Sequence, residues 1–223
     1  MRALLDKNVA ASRLMCLVMA ATLVPLTSLF SAQDPQEFSG WSAPVSLGPP
    51  VNTVVAEIAP CISKDGLSLD FVRGAGAGGF GGQDIWVSQR ASISDAWEPP
   101  QNLGSAINTG FNDFRPSPTL DGHSLYFASN RPGFGGIDLH VSRRHNKRDD
   151  FGWQPPVNLG SGLNTEANEL LAAHFEDDTT GLTTLYFASN RKGGPGGDDI
   201  YASTLLPGRD LWPGRTERNS AVP

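Results

Sequence analysis

The sequence predicts an all-β chain: three tandem four-stranded antiparallel units, the blades of an incomplete or open β-propeller. Three observations carry this. Trp41, Trp97 and Trp153 recur at a spacing of 56 residues. Asn52, Asn108 and Asn164, each followed by Thr, keep the same step. Between them, short runs alternate apolar and polar residues at period two, the mark of a strand with one buried face. Self-similarity over such a length signals a solenoid, a propeller or an array. The 223 residues suffice for one substantial domain, and 25 Gly with 17 Pro suit a fold of many turns. A net charge of −6 with no basic block argues against nucleic acid or an anionic membrane as partner.

Residues 1–32 read as a secretory signal. Arg2, Lys7 and Arg13 precede an apolar run from Leu14 to Phe30, and polar residues follow Ala32. The competing reading is an uncleaved anchor, but the run is short for a span and holds Pro25. Loss of the signal would take the net charge to −8 and leave Cys61 as a lone thiol, expected to be a small buried residue. The repeat domain is placed at 33–212, with units at 41–96, 97–152 and 153–212. A polar tail, 213–223, follows Trp212, which opens a fourth copy that stops at once.

Within the second unit the expected strands are Phe114–Pro118, Leu125–Ser129, Asp138–Ser142 and an outer strand from Trp153 to Leu159. Leu67, Leu69 and Phe71 alternate with Ser68 and Asp70 in the first unit, and Leu185 and Phe187 repeat the pattern in the third. Pro155 and Pro156 cannot donate to a ladder, so the Trp-Pro-Pro strand belongs at an edge. "KDGLS" and "LDGHS" suggest two-residue Asp-Gly hairpin turns. "NTEANELLAAHF" comes nearest to a helical pattern, but its counterparts contain prolines, so it too is read as strand and loop. Trp41–Leu47 is expected to form an extra outer strand ahead of the first unit.

"DGHSLYFASNRPGFGGIDLHVSRR" and "LYFASNRKGGPGGDDIYAS" resemble the TolB-type, WD-like β-propeller repeats of secreted and periplasmic bacterial proteins. The likeness runs from Trp41 to Trp212. It implies a propeller, usually without catalysis of its own, that binds proteins or cell-wall-associated partners. The first unit departs from it: "LDFVRGAGAGGFGGQDIWVS" has no Ser-Asn-Arg, so any role of Asn130, Arg131, Asn190 and Arg191 is not expected there.

The recurrent polar residues admit two readings each. Asp84, Asp138 and Asp199 follow glycine-rich loops; the structural reading has each carboxylate accept loop amides. The sharper one is calcium at those loops, for which only the third unit pairs two carboxylates, Asp198 and Asp199. Glu57, Asp113 and Glu169 recur at 56; Arg131 and Arg191 are candidate ion-pair partners of that acidic position in the same or the next blade, Asp113 or Glu169, or alternatively face a carboxylate-bearing partner. Trp41, Trp97 and Trp153 are expected to pack between blades, with carbohydrate stacking the minority reading.

No nucleophile elbow, HExxH or metal-spaced histidine set is present. The expected function is therefore an exported, non-catalytic binding module, periplasmic or secreted, with a protein or cell-envelope partner and no cofactor. A glycan-acting hydrolase or lyase is the alternative; it requires acids specific to one unit, and "FEDDTTG" is the one candidate noted. Three blades cannot close comfortably. The ring is either completed by a second copy of the chain or belongs to a longer propeller, or the blades form an open array.

Overall fold

Eleven strands and no helix run through residues 40–76 and 78–206, which are the residues described by this structure, a computed structural model. The chain divides into two units, Met1–Pro44 and Val45–Pro223, and every strand lies in the second. The expected signal, Trp212 and the expected polar tail fall outside the described residues.

Strands β1 (Glu57–Ile62), β2 (Ser68–Gly74), β3 (Gln83–Gln89) and β4 (Gln101–Asn102) form an antiparallel sheet in chain order. A second sheet repeats it with β5 (Asp113–Pro118), β6 (Ser124–Ser129), β7 (Asp138–Arg143) and β8 (Val157–Asn158). The third has three strands, β9 (Glu169–Glu176), β10 (Thr183–Ser189) and β11 (Asp199–Thr204). These are three propeller-type blades in series. The first strands follow in series, β1 beside β5 and β5 beside β9, while no element of the first sheet touches one of the third. The helix-like stretch is β9, as its proline-bearing counterparts foretold.

Alternation decides which residues pack. Ile85 and Val87 of β3 meet Leu125 and Phe127 of β6, with Leu103, Ile107 and Trp153 completing the seam between sheets one and two. The opposite face of the second sheet, Tyr126, Ala128, Leu139 and Val141, packs on Ala172, Leu185 and Phe187 of the third. On the outward face of the first sheet, Val51 and Trp97 cover Leu69, Phe71 and Trp86.

Four expectations change. The outer strands shrink to two residues, because Pro99, Pro100, Pro155 and Pro156 supply no ladder donors. Trp41–Leu47 forms no strand, since none of its backbone enters a ladder. The Asp-Gly turns are longer: Gly66 N–H donates to Ser63 O and Ser63 N–H to Ser68 O, a four-residue loop in which Gly66 takes φ 76°. Asp65 and Asp121 accept from nearby amides there, which favours this loop over the two-residue form. Cys61 is half-buried rather than sealed in a core.

One feature recurs in all three blades with no signature in residue type. Ala59, Arg115 and Leu171, at equivalent places in β1, β5 and β9, have φ of 52°, 56° and 57°. Each sits in a register shift, so the first strand of every blade carries a bulge.

Candidate functional site

The recurrent acids and arginines form one clamp, built three times. In the second blade Arg131 Nη2 lies 2.5 Å from Asp113 Oδ1 and donates to Ile107 O, with its guanidinium over the Phe127 ring. Thr109 donates both its N–H and its hydroxyl to Asp113. In the third, Arg191 pairs with Glu169 at 3.1 Å, donates to Leu163 O and lies over Phe187 and Tyr201, while Thr165 donates twice to Glu169.

The first blade has the clamp too, contrary to expectation. Arg73 pairs with Glu57 at 3.2 Å, donates to Val51 O and covers Phe71 and Trp86. It enters two positions earlier in the repeat, where the other blades have Ser129 and Ser189. A long side chain on β2 itself thus replaces one from the loop beyond. Burial alone would raise the Glu57 carboxyl; the Thr53 hydrogen bonds and the Arg73 charge bring it below its ordinary value.

Asn130 and Asn190 close the same hairpins, their side-chain oxygens accepting from Asn112 N–H and Asn168 N–H. The glycine loops are held as the structural reading requires. Asp138 accepts from the amides of Phe134 and Gly135 and from Asn158; Asp84 accepts from Phe80 and Asn102; Asp199 accepts from Gly196. A Cβ on Gly79, Gly133 or Gly194, five residues before each Asp, would strike the carboxylate. That spacing was visible in the sequence as a recurring Gly and Asp. One oxygen, Asp84 Oδ1, is buried without a partner.

The tryptophans part company. Trp153 is buried between the first two sheets under the Arg144 guanidinium, 4.3 Å from its ring. Trp97 is half-buried on the first sheet under Arg90. Trp41 is 97% exposed, against the expectation of packing; of these three repeat tryptophans, Trp153 is the one with a sheet on each side, and it is the one buried.

One acid cluster belongs to no repeat. Asp70 stands on β2 where the other blades have Tyr126 and Tyr186, and Asp150 lies in the loop after β7. Asp150 accepts from Ser68 Oγ at 2.6 Å and Gln89 Nε2 at 2.8 Å, and pairs with Arg144. These bonds tie the second blade to the first. Burial, then the Asp150 charge, push the Asp70 carboxyl up to about 7, against the opposing pull of Arg144. The unit-specific acids expected from the sequence, in "FEDDTTG", lie instead on an exposed hairpin held by Asp177 accepting from Thr179 and Thr180. The signal that could have found Asp70 was an acid in a position otherwise occupied by tyrosine.

No protein-family model matches the chain, and no curated protein does. Among solved structures it is similar to an α-L-arabinofuranosidase from Podospora anserina, determined in complex with cellotriose, at 13% identity and a TM-score of 0.43, over 67% of this chain and 46% of that one.

Proposed function

We propose that the protein is an exported, non-catalytic propeller module of the TolB-like, WD-like kind, binding a protein or another component of the cell envelope. The observation that supports this reading is the fate of the repeated polar residues. Glu57, Asp113 and Glu169 are spent on Thr and Arg donors, and Asp84, Asp138 and Asp199 on loop amides, so they serve the scaffold. Calcium at the loops would compete with those amides; adding calcium or a chelator is expected to leave the thermal midpoint unchanged.

A second reading, a glycan-acting hydrolase or lyase, is favoured by Asp70 and Asp150. They are specific to one place, and a carboxyl held near 7 is what a general acid needs. Against it, both are buried and Asp150 is already committed to three donors. Turnover decides. The full chain is incubated with glycan and peptide libraries, and separately sedimented with isolated cell envelopes. The binding module predicts no product and envelope retention that survives Asp70→Asn; product formation abolished by Asp70→Asn in a folded protein would establish the enzyme instead.

A further inference from the structure

Among the described residues, the third sheet lacks what the first two receive from the unit that follows. Ile85 and Leu139, on β3 and β7, are fully buried. The peptide of each exchanges two hydrogen bonds with a buried carboxamide, Asn108 in one case and Asn164 in the other. Ile200 holds the same place on β11 and is 74% exposed. Tyr186 is 45% exposed where its counterpart Tyr126 is 5%. Gly81 and Gly135 face the next unit so closely that a Cβ would strike the carbonyls of Phe111 or Ala167; at Gly196 the nearest atom is Asp199 Oδ1, 3.3 Å away.

The missing half is present at the other end of the array. Asn52 is the counterpart of Asn108 and Asn164, yet it is exposed, and its Nδ2 donates to Ser46 Oγ. Ser46 Oγ also accepts from Gly48 N–H, as Asn102 and Asn158 accept from Gly104 and Gly160. The connector therefore has its bonded shape without a sheet beside it. A groove of about 440 Å³ flanks β10 and β11, lined in part by Leu159, Leu163 and Leu185. These are the counterparts of Leu103, Ile107 and Leu125, which enclose Trp153 in the seam before. Trp41 is the repeat counterpart of Trp153.

We propose that residues 41–52 of a second copy of this chain complete the third blade. Trp41 of the second copy fills the groove. Its Val45 and Ser46 pair with Ala202 and Tyr201, as Gln101 and Asn102 pair with Val87 and Trp86. Its Asn52 seals the Ile200 peptide. The occupant is argued from its sequence: "WSAPVSLG" matches "WQPPVNLG", which makes the same contacts within the chain, whereas "WPGRTERN" after Leu211 has no such run. Two copies joined at both ends give six blades with two-fold symmetry, within the range of closed propellers. This assembly goes beyond the proposed binding role and does not depend on it.

The test is native mass of the full chain at micromolar concentration. A species of twice the chain mass is expected. Asn52→Ala, which removes one exposed side chain, and Gly196→Leu, whose Cβ meets nothing closer than the movable Asp199 side chain in the single chain, are each expected to raise the dissociation constant at least tenfold with unchanged β circular dichroism. In a Cys16→Ser, Cys61→Ser background, Val45→Cys with Ala202→Cys is expected to cross-link between chains on oxidation. A wild-type monomer would overturn the proposal. So would a cross-link formed within one chain, or a dimer indifferent to both variants.

Discussion

Asp113 shows how a single buried charge is made tolerable. It is fully buried, and its oxygens meet two donors from Thr109 and the Arg131 guanidinium. Removing a partner from such a set leaves the others desolvated, which costs about 3–5 kcal/mol. Asp113→Ala is thus expected to lower the urea midpoint far more than Asp178→Ala on the exposed hairpin. Arg131→Lys should recover little, since one ammonium cannot serve Asp113, the Ile107 carbonyl and the Phe127 ring together. Asp70 behaves in the opposite sense. Below its ordinary value of 3.8 it is protonated whether folded or not. Between there and about 7 the folded chain keeps a proton that the unfolded chain has released. Stability on this account falls as pH rises through that window and levels off above it, by on the order of 2–4 kcal/mol. Asp70→Asn is expected to remove that slope and to stabilise the protein at neutral pH, as read from urea midpoints across the window against wild type.

At the scale of the strand, the left-handed residue in each blade's first strand is the main departure from regular structure. A non-glycine residue there costs about 1–2 kcal/mol. Glycine would relieve that strain and give back about 0.5–1 kcal/mol in chain entropy. Leu171 is exposed, so its side chain contributes little packing. Leu171→Gly is expected to raise the denaturation midpoint slightly, and Leu171→Val to lower it, because a β-branched residue fits that conformation worst. A midpoint reduced by glycine and raised by valine would show that the bulge carries no strain. These bulges had no warning in the sequence, since Ala, Arg and Leu occupy the three positions without preference for the conformation they take.

Across the whole molecule, the seams between blades decide where change is tolerated. Gly135→Ala drives a methyl into the backbone of the loop 165–167, and such overpacking costs about 1–3 kcal/mol or more. Gly196→Ala, at the same repeat position, meets only the movable Asp199 side chain. Thermal melts of the dissociated chain are expected to show a large loss for Gly135→Ala and a small one for Gly196→Ala; equal losses would refute the seam as the cause. The same asymmetry explains Trp41, Trp97 and Trp153: one residue type in one repeat position runs from exposed to buried as sheets accumulate around it.

By itself the sequence determined the repeat length and the period-two strands, and it offered the structural loop Asp and the Arg–acid pairs of the second and third blades as one of two readings each. All of these are local, or recur at a fixed spacing, and so leave a pattern along the chain. The tertiary structure alone decided that Arg73 serves from a shifted position and that Asp70 and Asp150 converge from different blades. It also decided that Asn52 and Ile200 are left as unmatched halves. Those depend on which side chains reach one point in space after the sheets stack, and side-chain reach and burial across 80 residues of separation have no periodic trace in the order of amino acids.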